Sequence, residues 1–172
     1  LELGVLVLGL LGLLASAVNA SDQTVRVGVY QNAPKIFLSE GRVSGIFGDL
    51  LQQVADNEGW TLVPVACQWN DCLEMVQNGG IDIMPDVAFS DERAAIRSFG
   101  KVPALYSWSV LYRKPSSNIQ TIHDLDGKRI AVLSGSIQEG YLKDMVRDYG
   151  LLGVRFVAAN SLDEAFQLTA KG

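Results

Sequence analysis

The side chains with the clearest chemical potential in this sequence are a carboxylate and a guanidinium that follow one short apolar stretch. Asp86 comes directly after Pro85, and Arg93 ends a Ser-Asp-Glu-Arg stretch typical of a helix start. A guanidinium at a helix start opposes the macrodipole, so Arg93 is a candidate anion ligand, or else a solvated side chain. Asp86 is a candidate acceptor for a ligand amine or partner for Arg93, and equally an Asx-turn residue beside Pro85.

A second candidate anion site follows a predicted strand in the second half of the chain. Gly135 and Ser136 precede a predicted helix, whose free N–H groups and the Ser136 hydroxyl suit a carboxylate or phosphate. An ordinary N-cap explains the same residues. Tyr30 and Trp69 stand at predicted strand ends and are candidate stacking walls, or rims of the core.

The elements of the first half place these candidates at one sheet edge. The pattern predicts strands at 25–30, 60–65 and 81–84, helices at 49–57 and from Asn70 or Asp71 to Asn78, and a hairpin tip at Glu40-Gly41. Alternating strands and helices predict a parallel sheet with right-handed crossovers. Because the carboxyl ends of parallel strands share an edge, Tyr30, the Gln68-Trp69 turn and the 85–93 corner should meet in one crevice.

The second half repeats this strand, turn and helix order. The predicted elements are a strand at 106–112, a helical turn at 122–128, a strand at 129–133, a helix at 137–149, a strand at 154–157 and a helix from Ser161. We expect a domain crossing near 103–112, with residues 21–103 in a first lobe and 104–172 in an incomplete second lobe. The missing initiating Met and the absent strand after the last helix predict a chain truncated at both ends.

Composition excludes several function classes. The 172 residues are 48% hydrophobic with a formal net charge of -5, so there is no basic face for nucleic acid. The single histidine, His123, stands in an acidic turn without Ser-His-Asp or Cys-His order, so no catalytic residue is predicted. Two cysteines and one histidine do not make a zinc site, and neither a metal nor a cofactor is predicted.

The amino terminus predicts export. Residues 1–20 hold an apolar run from Leu3 to Leu14 and then small residues up to Ala20, which is typical of a signal peptide, with a signal anchor as the alternative. An oxidising compartment would permit a disulfide between Cys67 and Cys72. Two unpaired small hydrophobic side chains are the alternative, and the spacing does not decide between them.

Several short motifs follow one another from Val25 to Gly172. They are Ala33-Pro34 with Phe37, Gly45-Ile46-Phe47-Gly48-Asp49-Leu50, Trp69 before Leu73-Glu74-Met75, Gly80-Ile81-Asp82-Ile83, Ser90-Asp91-Glu92-Arg93, Asp124 to Val132, and Gly135-Ser136. In this order and spacing the chain resembles the family 3 extracellular solute-binding proteins, the two-lobed periplasmic receptors for amino acids and related small solutes. The resemblance implies an α/β, two-lobed periplasmic binding protein-like fold of type II, the Venus flytrap.

The same resemblance implies roles for the candidate residues. Arg93 would take the ligand carboxylate, the backbone from Asp86 to Ala88 and Trp69 would line the first lobe, and Gly135 with Ser136 would form the anion nest of the second. Departures from the family pattern are Asn32 for an aromatic residue, Phe47 for an acid, Ala88 near the place of a small hydroxyl residue, and Ile137 for a threonine. These departures make an unusual ligand the expectation.

Three stretches are similar to one branch of this family, the extracytoplasmic sensor domains of bacterial membrane histidine kinases. They are Ala33 to Phe37, Met84 to Ala88 and Gly135 to Glu139. The resemblance implies a periplasmic or extracytoplasmic module, with or without a membrane anchor, that senses a small anionic or amino-acid-like solute. Its partners would be that solute and membrane-tethered signalling domains. The alternatives are a receptor that serves an ABC permease and an exported dehydratase-like enzyme on the same scaffold.

Overall fold

The computed structural model describes residues 23–172, which form two parallel two-stranded sheets, one hairpin and the helices packed on them. The strands are Gln23–Val29 (β1), Phe37–Ser39 (β2), Arg42–Ser44 (β3), Trp60–Ala66 (β4), Arg129–Leu133 (β5) and Arg155–Ala159 (β6). The helices are Ile46–Glu58 (α1), Trp69–Asn78 (α2), Asp91–Ala94 (α3), Ile137–Asp148 (α4) and Leu162–Lys171 (α5), with a 3-10 helix at Ile122–Leu125. We call the part built on β1 and β4 the first lobe and the part built on β5 and β6 the second lobe. The predicted signal peptide or anchor at residues 1–20 lies outside the described residues.

Strand β1 is the centre of the first lobe. It pairs in parallel with β4 from Gln23 opposite Trp60 to Val29 opposite Ala66, as the strand and helix order predicts. Val25, Val27 and Val29 are all buried and share one core with Ile36 and Ile81. Complete burial of one such side chain contributes about 1.5–3 kcal/mol, so this apolar stripe fixes the position of the strand end at Tyr30.

The predicted strand at 81–84 is shorter than expected. Only Ile83 joins the sheet, through a single parallel bridge to Val27 on the side of β1 opposite β4. The Arg26 N–H donates at 2.7 Å to the Asp82 carboxylate, so a side chain takes a donor that a longer ladder would use. Pro85 has no N–H to continue the ladder. The chain therefore leaves the sheet at this point and turns toward Asp86.

Helices α1 and α2 end as predicted, but both begin earlier, α1 at Ile46 rather than at residue 49. Gly59 and Gly79 close them with left-handed backbone, at φ 68° and 77°. The N-cap of α2 is Gln68, and the prediction of Asn70 or Asp71 at that position is wrong. A disulfide joins Cys67 to Cys72, with 5.4 Å between their Cα atoms, and closes the turn that leads into the helix. The helix therefore begins at Trp69, whose side chain is buried.

The predicted hairpin is also present. Strands β2 and β3 pair antiparallel from Phe37 opposite Ser44 to Ser39 opposite Arg42. Its tip is Glu40-Gly41, with φ 50° and 72°, the left-handed pair that a two-residue hairpin turn requires. The hairpin lies next to the loop that carries Lys35.

The second lobe contains the elements predicted from Ile122 onward. Strands β5 and β6 pair in parallel, with Arg129 opposite Arg155 and Leu133 opposite Ala159. Its core is formed by Leu125, Ile130 and Leu151. Ser136 and Ser161 cap α4 and α5 by accepting from the N–H groups three residues on.

The strand predicted at 106–112 is absent. This segment has no regular structure, and the side chains of Tyr106 and Trp108 are 82% and 86% exposed. Among the described residues, β5 and β6 pair only with each other and no strand lies beside this segment. An extended segment without a neighbour has no ladder partner for its N–H and C=O groups, so its alternating apolar pattern is not sufficient to make a strand.

Candidate functional site

Asp86 lies where the chain leaves the first sheet, and its carboxylate is fully engaged by the first lobe. The side chain is 6% exposed and pairs with Lys35 Nζ at 2.5 Å. The Tyr30 hydroxyl and Asn32 Nδ2 each donate to Asp86 Oδ2 at 2.7 Å. These three donors hold a residue whose backbone is left-handed, at φ 61°, a conformation that Asp tolerates better than most residues.

These contacts decide what Asp86 can do. Its pairing partner is Lys35, so the predicted ion pair with Arg93 is not formed. An acceptor that already receives three donors has little capacity left for a ligand amine. Asp86 therefore acts on the site by fixing the positions of Tyr30 and the loop that carries Asn32.

Tyr30 follows directly after β1 and is buried. Burial raises the pKa of its hydroxyl strongly, and the neighbouring Asp86 carboxylate raises it further. The phenol therefore stays protonated and serves as a hydrogen-bond donor. Its ring meets Trp69 edge-on, with 5.0 Å between the ring centroids. The two aromatic residues predicted as walls thus form one continuous surface.

Arg93 is the third residue of α3, where Ser90 accepts from the Arg93 N–H at 3.3 Å as the N-cap. Its guanidinium donates to the carbonyl of Ala88 at 2.8 Å and, across the lobes, to the carbonyl of Gly135 at 2.9 Å. It also lies over the Trp69 ring, 5.7 Å from the centroid. The sequence thus brings Arg93, Ala88, Trp69 and Gly135 together.

The guanidinium of Arg93 has no salt-bridge partner among the described residues, although the charge of the neighbouring Glu92 acts on it. Burial lowers its pKa, and the nearby Arg97 lowers it further. A guanidinium carries five N–H donors, and the two carbonyl bonds leave three of them for an anion. Partial burial of this unpaired cation is the electrostatic condition that favours binding of a carboxylate.

Gly135 and Ser136 lie at the start of α4. The Gly135 N–H donates at 2.8 Å to Glu139 Oε2, and the Ser136 hydroxyl accepts from the Glu139 N–H at 3.2 Å. Lys143 binds Glu139 at 2.7 Å, and this bond, followed by the Gly135 amide, lowers the pKa of Glu139. The helix start is thus capped by its own side chains, as the N-cap interpretation expects. The Gly135 carbonyl, rather than its amide, faces the first lobe through Arg93.

A cleft of about 490 Å³ lies between the lobes on the strand-end side. Tyr30 and Trp69 line it, while Asp86, Ala88, Arg93, Gly135 and Ser136 do not. Gln68 lines it too, as the predicted Gln68-Trp69 turn requires, and the polar side chains in its wall that the sequence did not identify are those of Gln31, Asp71, Asn160, Ser161 and Asp163. All of them follow β1, β4 or β6 within a few residues, so the rule that ligands bind at strand carboxyl ends was the signal for them.

Comparison with known proteins identifies the family. The model of the bacterial extracellular solute-binding proteins, family 3, matches residues 25–169. The chain belongs to this family. The fold class predicted from the sequence, α/β and of the two-lobed periplasmic binding protein type, is thereby confirmed.

Individual known proteins resemble this chain over most of its length. A protein of Campylobacter jejuni named "Probable histidine-binding protein" is 29% identical over 132 residues, which cover 73% of this chain and 52% of that protein. An ancestral arginine-binding protein bound to arginine superposes with a TM-score of 0.67 at 25% identity, over 87% of this chain and 66% of that one. The ancestral amino acid-binding protein AncCDT-1, a precursor of cyclohexadienyl dehydratase, gives 0.73 at 24% identity, over 87% and 66%, and shows the fold alone. This chain spans about half the length of the C. jejuni protein.

No helix within residues 23–172 combines the length and the apolar character that crossing a membrane requires.

Proposed function

We propose that this family 3 domain binds a small carboxylate-bearing solute of the amino-acid class outside the cytoplasm, between its two lobes. The observation that carries the proposal is the partly buried guanidinium of Arg93, which forms no ion pair within residues 23–172 and has three N–H donors to spare there. A planar guanidinium matches the two oxygens of a carboxylate and binds them more strongly than a neutral donor does.

The cleft supports the second half of the proposed ligand. Asp71 from the first lobe and Asp163 from the second stand in its wall, and its lining contains no Lys, Arg or His among the described residues. An amino group is the natural complement of such a wall. Trp69 lines the cleft and lies under the Arg93 guanidinium, so a carboxylate at Arg93 and an amino group in the cleft together describe an amino acid. The names of the similar proteins, for histidine and arginine, agree with that class.

We propose two alternative roles for solute binding by this domain. A receptor that serves an ABC permease is the first, because the similar proteins carry names of amino-acid-binding proteins and one of them, from Vibrio harveyi, is named for an amino-acid ABC transporter. A ligand-sensing module of a membrane signalling protein such as a histidine kinase is the second. The three stretches that resemble the sensor branch meet at the site, since Lys35 pairs with Asp86 and Gly135 bonds Arg93. Phosphorylation of a kinase encoded with this domain, measured with and without the best ligand, separates the two.

The experiment for the binding proposal is isothermal titration of the whole protein with each L-amino acid and with a set of dicarboxylates. We expect at least one α-amino acid to bind and to lose affinity in Arg93→Ala. Binding of dicarboxylates alone would contradict the amino-acid class, and binding of none would contradict the proposal. A turnover assay with prephenate and arogenate tests the dehydratase alternative, for which we expect no product.

A further inference from the structure

Gly135 is a point of close contact between the second lobe and the first, beside Leu133, which packs in the core of the first lobe. Its backbone is left-handed, at φ 69°, and a Cβ atom placed there would lie 2.7 Å from Asn70 Oδ1. The same Cβ would lie 4.0 Å from the indole nitrogen of Trp69. Both neighbours belong to the first turn of α2, so this helix start packs against a backbone that has no side chain.

The close approach is what allows Arg93 to reach across. Its guanidinium bonds the Ala88 carbonyl on its own lobe and the Gly135 carbonyl on the other, at 2.8 and 2.9 Å. The Gly135 N–H is held on the opposite side by Glu139. Both polar groups of this one residue are therefore committed, one to its own helix and one to the first lobe.

The indole N–H of Trp69 completes the description of this contact. It is buried and has no hydrogen-bond partner within the part of the chain that the structure describes. A side chain larger than one methyl group at residue 135 would enter the space between Asn70 and Trp69 and move the residue 135 backbone away from Arg93. We infer that Asn70 and Gly135 are positioning residues that set the closed arrangement of the lobes, in which Arg93 joins the ligand carboxylate to the second lobe.

This inference deepens the proposed function. Its statement about solute affinity rests on the proposed function, whereas its statement about the contact between the lobes does not. With three N–H groups left, Arg93 can hold a carboxylate while it bonds Gly135, so occupancy of the site and closure stabilise each other. If a solute binds only to the closed arrangement, its affinity falls in proportion to the fraction of molecules that adopt that arrangement. Residue 135 thus controls affinity without touching the solute.

The test compares Gly135→Leu with Gly127→Leu in the full chain. Gly127 has the same left-handed backbone, at φ 71°, but open space around its Cβ position, so it reports the backbone cost alone. Leu is the sharper substitution because the Asn70 side chain can turn away from one methyl group. Nitroxides at the exposed helix positions Asn57→Cys and Gln167→Cys, one on each lobe, give the interlobe distance by pulsed electron resonance. Each protein is measured before and after addition of L-arginine as the probe.

We expect wild type and Gly127→Leu to share a short-distance population that Gly135→Leu lacks. Where wild type binds L-arginine, Gly135→Leu should bind it at least about tenfold more weakly, as expected if the closed arrangement is populated one-tenth as often. Equal distances in Gly135→Leu and wild type, an equal loss in Gly127→Leu, or no short-distance population in wild type would overturn the inference. If wild type binds no amino acid, the proposed function fails while the distances still decide the contact. If Gly135→Leu does not fold, Gly135→Asn against Gly127→Asn decides on the same criteria, because Asn tolerates left-handed backbone and is still larger than one methyl group.

Discussion

The hydroxyl of Tyr30 donates a hydrogen bond of 2.7 Å to the carboxylate of Asp86, 56 residues further along the chain. This bond ties the carboxyl end of β1 to the turn where the chain leaves the sheet after Ile83. Beyond Ile83 no backbone ladder connects the end of β1 with the turn at Asp86 in the described chain, and this side-chain bond connects them. The geometry of the aromatic wall therefore depends on it.

Replacing Tyr30 by Phe removes this bond and leaves the ring in place. A hydrogen bond to a charged acceptor contributes roughly 1.5–3 kcal/mol, so the free energy of unfolding should fall by that amount. Urea denaturation measures it. Tyr106→Phe is the matched control because Tyr106 is 82% exposed, and its change should be close to zero. Equal stability of the two variants would contradict the role of the Tyr30 hydroxyl.

Replacing Asp86 by Asn tests its charge separately from its backbone. Asn tolerates the left-handed conformation at φ 61° as well as Asp does, so the variant removes mainly the ion pair with Lys35. We expect a loss of about 1–3 kcal/mol in the free energy of unfolding, because Lys35 is left without its partner. Adding Lys35→Met to Asp86→Asn should cost less than Lys35→Met does in wild type. Additive losses in this double-mutant cycle would show that the two side chains do not interact.

Removing the disulfide should destabilise the first lobe without changing its ligand. Closure of a loop as short as that from Cys67 to Cys72 contributes about 2 kcal/mol on the chain-entropy model. The double variant Cys67→Ser/Cys72→Ser should lose that amount in chemical denaturation. A reducing agent should lower the stability of wild type by the same amount and leave the double variant unchanged. A stability insensitive to reduction would contradict the bond.

The Asp82 carboxylate gives a pH-dependent prediction. Hydrogen bonds from the Arg26 side chain, at 2.9 and 2.7 Å, and from its backbone lower the pKa of Asp82 from 3.8 to about 2. Because the pKa is lower in the folded state, the contribution to stability is present above about pH 4 and is lost as the pH falls through about 2. Carboxyl NMR titration should give a midpoint near 2 that rises toward 3.8 in Arg26→Gln. Arg42→Gln, on the exposed hairpin, should leave it unchanged, and a midpoint insensitive to Arg26 would contradict the assignment.

The sequence predicted most of the regular structure because its local signals agree with the packing. Glycines at 59 and 79 ended helices, Ser136 and Ser161 began them, and the alternation of Val25, Val27 and Val29 identified the central strand. The sequence-based prediction failed where the outcome depends on whether a neighbouring strand is present. The segment at 106–112 has the alternation of a strand but no strand beside it in the described chain.

The candidate site was likewise predictable in part: its residues could be identified from the sequence, but their contacts could not. The candidate residues around Arg93 could be found because each follows a strand end or begins a helix. Their pairings could not, because they depend on the lengths of side chains from separate loops. Lys35 reaches Asp86 from the loop after β1, and the Glu139 carboxylate accepts a hydrogen bond from the Gly135 N–H. No spacing along the chain encodes the first of these contacts.

The most direct measurement compares the best-binding L-amino acid with its carboxamide, by titration calorimetry on wild type and Arg93→Ala. Arg147→Ala is the control, because Arg147 is exposed and pairs within its own helix. We predict that wild type and the control prefer the carboxylate by roughly 1.5–3 kcal/mol and that Arg93→Ala loses this preference. Equal preference for the carboxylate in Arg93→Ala and wild type would contradict the assignment of Arg93 as the carboxylate ligand.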